Sequence, residues 1–223
     1  VRDGRKGADG RGYRDIKTAT SADFVNWTQP QWLRYPGAPD EELYTNQVQP
    51  YYRAPHIFVG FPSRYVHRAW SPAIDALPEP DQRRFRAKVN ERFGAALSDG
   101  LFMSSRDGQT FKRWGEAFIR PGPQLKNQWA YGDNYQCWGM IETTSALQGA
   151  PDELSFFARE GVWRGNSASI RRYSLRKDGF VSVRGPLAGG CFTTRPLTFD
   201  GSKLTINFST SAAGRVRLEL QDL

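Results

Sequence analysis

Cysteine, histidine and methionine are scarce, with two of each in 223 residues. Cys137 and Cys191 stand far apart, with no C-x-x-C pair and no His/Cys cluster, which argues against a zinc site. The two thiols fit either one disulfide or two buried free cysteines. Neither His56 nor His67 has a Ser or Cys nearby in a nucleophile pattern. His56, between Pro55 and Ile57, reads as a packed strand residue. No metal and no redox cofactor is expected. No apolar run has the length needed to cross a membrane, and no signal-peptide pattern is visible. Acidic residues are outnumbered, 23 against 31 Lys and Arg, for a formal charge of +8. That balance raises the question of nucleic acid. The positive residues are spread, apart from the first 17 positions and 83–92, and no basic stripe interleaved with aromatics appears, so nucleic acid is an unfavoured partner.

Aromatics, glycine and proline are plentiful. Aromatic residues make up 13%, with 22 Gly and 14 Pro. The mixture suits many short strands joined by turns. The clearest unit is residues 99–114, DGLFMSSRDGQTFKRW. Asp107-Gly108 between two apolar runs predicts a tight hairpin turn. Residues 16–27, IKTATSADFVNW, have the same skeleton, with Ser21, Asp23, Phe24 and Trp27 aligned to Ser105, Asp107, Phe111 and Trp114. A repeated hairpin predicts a repeat architecture.

Taken in order, residues 1–15 read as a polar loop or an unpaired strand. Residues 16–35 read as a hairpin whose Trp27 and Trp32 pack between layers, and 36–42 as a turn-rich loop. Two runs of four strands follow: 43–52, 54–65, 101–105 and 111–118, then 134–142, 153–159, 169–176 and 180–184. A four-stranded antiparallel unit repeated in sequence describes a propeller blade. Between strands two and three of the first unit, residues 81–97 place Phe85, Val89 and Phe93 on one stripe, predicting an amphipathic helix capped by Asp81 that covers part of a sheet. The expected class is therefore all-β: about two and a half blades of a propeller over residues 1–185, with one helical insertion.

Residues 186–223 form the second segment. Strands are expected at 191–199, 204–208 and 216–220. Leu204, Ile206 and Phe208 alternate strictly, as do Val216, Leu218 and Leu220, which suggests the start of a β-sandwich. The chain opens with Val1 and closes inside this alternating pattern. It is expected to be part of a longer gene product.

Several stretches carry a family resemblance: ATSADFVNW, LYTNQVQPYYRAPHIFVGFPSRY, DGLFMSSRDGQTFKRWGEAFIRPG, DNYQCWGMIET, DELSFFAREG, SIRRYSLRKDGFVSV and PLTFDGSKLTINFSTSAAG. Together they resemble bacterial proteins of the glycoside-hydrolase-like five-bladed β-propeller superfamily, of the arabinanase, levansucrase and invertase type. The nearest group is of uncharacterised planctomycete-like bacterial proteins. The resemblance implies a funnel-shaped site on the propeller axis, an oligo- or polysaccharide ligand, and a secreted or periplasmic setting. It also implies a further partner: the missing N-terminal half of the propeller, or another chain that supplies it, carrying a first-blade carboxylate.

Alternation of strand direction then suggests which residues meet near the axis. Tyr44, Thr45, Asn46, Arg64 and Asp99 are the set from the first unit, and Asp133, Asn134, Tyr135, Arg159 and Glu160 the set from the second. Amides and acids grip sugar hydroxyls, and rings stack on sugar faces. Glycoside hydrolysis needs two carboxyl groups, one acid and one base or nucleophile. Asp99, Asp133 and Glu160 are the candidates. Each also fits a plainer role: a turn at Asp99-Gly100, a loop cap at Asp133, and an ion pair of Glu160 with Arg171 or Arg172. Two functions therefore compete. One is a carbohydrate-active propeller that hydrolyses a glycosidic bond. The other is a non-catalytic carbohydrate-binding or assembly module. Carboxyls standing open in a funnel favour the first, and carboxylates paired to arginine favour the second.

Overall fold

A computed structural model describes residues 2–131, 134–163 and 168–222. The fold is mostly β, built from several antiparallel sheets with short helices between them. In chain order, β1 (Arg2–Lys6), β2 (Gly12–Thr18) and β3 (Gln31–Trp32) form one three-stranded sheet. The opening residues are therefore a paired strand, with Arg5 opposite Tyr13, rather than a loop.

Next come β4 (Glu42–Tyr44), β5 (Gln49–Tyr51), β6 (Ala54–Gly60) and β7 (Ser63–Val66). Three helices follow: α1 (Pro72–Asp75), α2 (Pro80–Ala87) and α3 (Arg92–Ala95). After them come β8 (Leu97–Gly100), β9 (Met103–Ser105) and β10 (Phe111–Arg113). The strands occupy two sheets, β4-β7-β8 and β5-β6-β9-β10. Their registers run on from one sheet to the other. Tyr44 faces Ser63 and Gln49 faces Val59; Ser63 faces Gly100 and Gly60 faces Met103. Backbone bonds bridge the break, from Phe61 N–H to the Asn46 carbonyl (2.8 Å) and from Leu101 N–H to the Pro62 carbonyl (2.8 Å). Ile119 bridges Gly100 and extends the β10 side. The arrangement is one four-stranded up-and-down meander, bent across its middle. Pro62 contributes no N–H there, and Thr45 and Gln47 take positive φ (42° and 44°).

The last sheet comprises β11 (Tyr135–Gln136), β12 (Ile141–Thr143), β13 (Glu153–Glu160) and β14 (Ser169–Arg176). β11 and β12 pair with successive halves of β13, as one strand interrupted at Gly139 (φ 89°), and β14 pairs along the whole of β13. Three of the four strands expected here are present. The fourth, 180–184, forms no ladder, although Phe180 stacks on Phe102 with centroids 5.1 Å apart.

Two apolar clusters fill the meander's faces. Ile16, Leu33, Leu43, Leu101, Met103 and Phe111 tie the first sheet to the meander. Tyr51, Val59, Phe61, Phe102 and Leu154 tie the meander to β13. Aromatic rings reinforce the second, with Phe61 and Phe118 both stacked or tilted against Phe156. Both thiols are free, Cys137 half-buried and Cys191 exposed.

Several expectations are corrected. The Asp107-Gly108 hairpin has a five-residue loop, because Phe111 pairs directly with Ser105. Its order comes from the Asp107 carboxylate, which accepts from the N–H groups of Gln109 (2.8 Å) and Thr110 (2.6 Å) and from the Ser105 hydroxyl (2.9 Å). Asp23 repeats the device, accepting from the N–H groups of Val25 (2.9 Å) and Asn26 (2.8 Å) and from the Ser21 hydroxyl (3.0 Å). The Ser-x-Asp repeat is therefore structural. The aromatic part of the alignment is not. Phe24 (φ 61°) takes the conformation of Gly108 (φ 69°) and is 82% exposed, whereas Phe111 is fully buried. Trp27 is likewise exposed, its indole N–H donating to the Phe24 carbonyl.

The predicted helix is two helices. Pro80 occupies the first turn of α2 and Glu79 precedes it, so Asp81 lies inside the helix rather than at its cap. Phe85 and Val89 are exposed, and the buried residue of α2 is Arg83. Its guanidinium donates to the carbonyls of Pro78 and Gly94, which turns that side of the helix inward. Gly94 permits the approach: a Cβ there would stand 2.4 Å from the Arg83 carbonyl oxygen.

Among the described residues, 177–222 contain no strand. The side chains of Leu204, Phe208, Leu218 and Leu220 are exposed. A strand exists through ladder bonds to a neighbour. Here the links to the sheets include Arg176 to the Phe208 carbonyl and Asn207 to the Lys177 carbonyl, which are side-chain bonds and build no ladder. Among the described residues the expected sandwich strands form no ladder.

The Asp107 carboxylate titrates well below the ordinary aspartate range, because backbone N–H groups of Thr110 and Gln109 and then the Ser105 hydroxyl hold its charged form. A depressed folded-state pKa contributes stability that is present above the unfolded value, about 3.9, and is lost as pH falls below it. In Asp107→Asn this contribution is removed. Thermal melts from pH 5 to pH 2 should then show a shallower fall of Tm than in the parent. Parallel pH profiles would rule the linkage out.

Candidate functional site

The turn-rich loop at 36–42 is an electrostatic hub. Its three successive acids each meet arginine: Asp40 pairs with Arg5 (2.7 Å), Glu41 with both Arg64 (2.7 Å) and Arg113, and Glu42 with Arg14. The run Asp40-Glu41-Glu42 in a basic chain is the sequence signal for this, within a stretch whose Pro and Gly mark a turn. Arg113 is almost wholly buried and also donates to the Pro39 carbonyl.

Arg64 is the centre of the network. The β7–β8 register sets it directly opposite Asp99. Opposed cross-strand residues point to the same face, so the two side chains meet. The guanidinium donates to both Asp99 oxygens (2.9 and 2.7 Å), to Glu41 and to the Gly115 carbonyl (2.9 Å). Burial works against the charge of Arg64, but the Asp99 and Glu41 carboxylates outweigh it and raise its pKa.

This pair lies in the wall of an open groove with a cavity volume of about 630 Å³. β7 and β8 supply Arg64, Leu97 and Asp99. The chain after β10 supplies Glu116, Arg120 and Gln124, and Trp129 closes one side. Trp129 is held by its indole N–H, which donates to the carbonyls of Gly122 (3.1 Å) and Pro123 (3.2 Å). Arg68, just beyond β7, completes the floor. Of the residues expected at a site, Arg64 and Asp99 line this groove. Arg68, Glu116, Arg120 and Trp129 were not anticipated, since none belongs to a local motif.

The other expected residues gather elsewhere. Residues opposite one another share a face and neighbours along a strand do not. Leu43, Arg64 and Asp99 therefore lie on one side of the β4-β7-β8 sheet, and Tyr44, Ser63 and Gly100 on the other. On that second side Tyr44 meets Tyr65 and Tyr135, with ring centroids 6.4 and 6.2 Å apart. Arg14 sits 4.2 Å over Tyr44, and Arg159 sits 5.0 Å over its cross-strand neighbour Tyr135. Burial first, and then the charge of Tyr131, raise the pKa of Tyr135. Asn134 is fully buried, and its side-chain oxygen and nitrogen lack partners among the described residues. Asn46 serves its own turn, its side-chain oxygen accepting from Val48 N–H, while Thr45 reaches Ser63.

Glu160 accepts from Arg171 (2.5 Å) and from the Tyr173 hydroxyl, which is the plainer role foreseen for it. Asp133 lies outside the described residues. Among the described residues, no group of three His, Cys, Asp or Glu side chains is placed to hold a metal ion, and no helix is long and apolar enough to cross a membrane.

No family model, curated protein or solved structure matches the chain.

Proposed function

We propose that this chain is part of a carbohydrate-binding β-propeller of the glycoside-hydrolase-like type, and that it works as a binding module. The up-and-down meander supports the architecture, since four strands in this order make a propeller blade. The resemblance of the quoted stretches supports the ligand class and an extracellular or periplasmic setting. The observation that carries the non-catalytic choice is the state of Asp99. Both of its oxygens accept N–H bonds from Arg64, so the carboxylate is engaged by the protein and does not stand open in the groove as one of a catalytic pair. Glu160 is similarly engaged by Arg171 and Tyr173. What remains is a groove with hydrogen-bonding side chains and an apolar wall, which suits retention of a sugar chain.

One observation favours hydrolysis as a second reading. Glu116 is exposed and lines the same groove as Asp99. The two readings separate in one experiment: a panel of oligosaccharides offered to the chain, scored for saturable binding by calorimetry and for new reducing ends overnight. Binding without new reducing ends is the expected result. New reducing ends that disappear in Glu116→Gln would replace the binding module with a hydrolase.

A further inference from the structure

The groove's floor holds a positive charge that faces no carboxylate among the described residues. Arg68 is half-buried and lines the cavity. Its Nε donates to the Ala95 carbonyl (2.7 Å), which fixes the guanidinium plane. Among the described residues no carboxylate lies within ion-pair distance of it. Its neighbour on the cavity side is the Gln124 amide. In one orientation the Gln124 carbonyl faces the Arg68 Nη groups at 3.4 and 3.5 Å. In the other it faces Arg83 at 3.1 and 3.2 Å. A single neutral acceptor thus stands between two guanidinium groups, and it serves one of them at a time. Burial alone acts on the Arg68 charge and lowers its pKa.

Charges along the rest of the groove do not cancel this one. Arg64, Arg113, Asp99 and Glu41 form a closed set of two positive and two negative groups. Arg120 and Glu116 stand at the exposed lip. These ion pairs leave Arg68 without a carboxylate partner among the described residues. A buried or half-buried charge gains most from a partner of opposite sign that carries its own acceptors, and a planar guanidinium matches a carboxylate or sulfate in two-point geometry.

We infer that the groove takes an acidic sugar, with a carboxylate or sulfate group of the ligand seated on Arg68 and Arg120 at its mouth. The inference rests on the carbohydrate-binding reading and names the sugar class. A neutral chain could occupy the same groove, but it would leave Arg68 desolvated against a half-shared amide. An acidic residue brings the two acceptor oxygens that the protein does not.

The test uses the chain at fixed ionic strength and measures affinity by calorimetry for three probes: an oligogalacturonate, its fully methyl-esterified form, and a sulfated oligosaccharide of similar length. The expected result is at least tenfold tighter binding of one acidic probe than of the ester. Arg68→Gln should remove that preference, and Arg68→Lys should restore part of it. Arg120→Gln, at the exposed lip, is a second variant that does not endanger folding, and a threefold or greater loss for the acidic probe supports the seat. Preference for the sulfated probe assigns the anion as sulfate, and preference for the uronate assigns carboxylate. Equal affinity for acid and ester overturns the acidic-sugar inference and leaves carbohydrate binding standing. No binding of any probe, including the ester, overturns the carbohydrate reading itself.

Discussion

Arg64→Ala is expected to lower the unfolding free energy by about 3–5 kcal/mol, the loss typical when one member of a buried charge network is removed. The side chains involved are well shielded: Arg64 is 15% exposed, Asp99 10% and Glu41 19%. Deleting the guanidinium leaves Asp99 without the cation that meets both its oxygens and leaves Glu41 with Arg113 alone. The cost comes from the stranded carboxylate, so taking both partners away should recover much of it. Arg64→Met with Asp99→Leu is therefore expected to be more stable than Arg64→Ala. Urea unfolding curves for the parent, the single variants and the pair make the comparison. A loss below about 1 kcal/mol in Arg64→Ala would mean that the network behaves as an ordinary surface pair.

Phe111→Ala is the second large effect, with an expected loss of about 3–5 kcal/mol from lost burial and the cavity left behind. Phe111 is wholly enclosed, together with Ile16, Leu33, Leu43, Leu101 and Met103. These residues come from the first sheet and from three strands of the meander, so the ring helps join the one to the other. The damage is accordingly expected to be uneven. Hydrogen exchange in Phe111→Ala should speed up most in β2, whose Ile16 loses its neighbour, and least in β13 and β14, which rest on other clusters. Phe111→Leu keeps an apolar filler and should cost less. A uniform rise in exchange across all sheets would contradict the local role.

Much of the strand pattern was legible because period-two alternation and Gly or Asp punctuation act locally. The strands at 54–65, 153–159 and 169–176 depend on little else. The Ser-x-Asp repeat was legible for the same reason, since Ser21 with Asp23 and Ser105 with Asp107 bond within their own turns. Its extension to Phe24 failed because one positive-φ position is filled by glycine in one copy and by phenylalanine in the other. The stripe of Phe85, Val89 and Phe93 misled because a distant feature decides which side of α2 turns inward, namely the carbonyl of Gly94 waiting for Arg83. Site residues divided in the same way. Arg64 and Asp99 were found together because strand order fixes register. Tyr44 and Tyr135 were assigned to their company although the pleat sends them to the opposite side of the sheet. Arg68 and Trp129 enter the groove through loops whose paths no periodicity encodes.

The outer strand of the last sheet has a consequence for the behaviour of the molecule in solution. Among the described residues β14 pairs with β13 alone, which leaves its far side open. An open strand of eight residues is a template on which another chain can add. This one reads Ser-Ile-Arg-Arg-Tyr-Ser-Leu-Arg, and Arg171, Arg172 and Arg176 put like charges on any copy that approaches. Mutual repulsion then guards the open row of backbone groups against sheet extension and fibre growth. Arg171 is partly spent on Glu160, so Arg172 and Arg176 carry most of that guard. High salt, which screens their repulsion over a few ångströms, is the condition under which copies of this chain are most prone to zip together edge to edge.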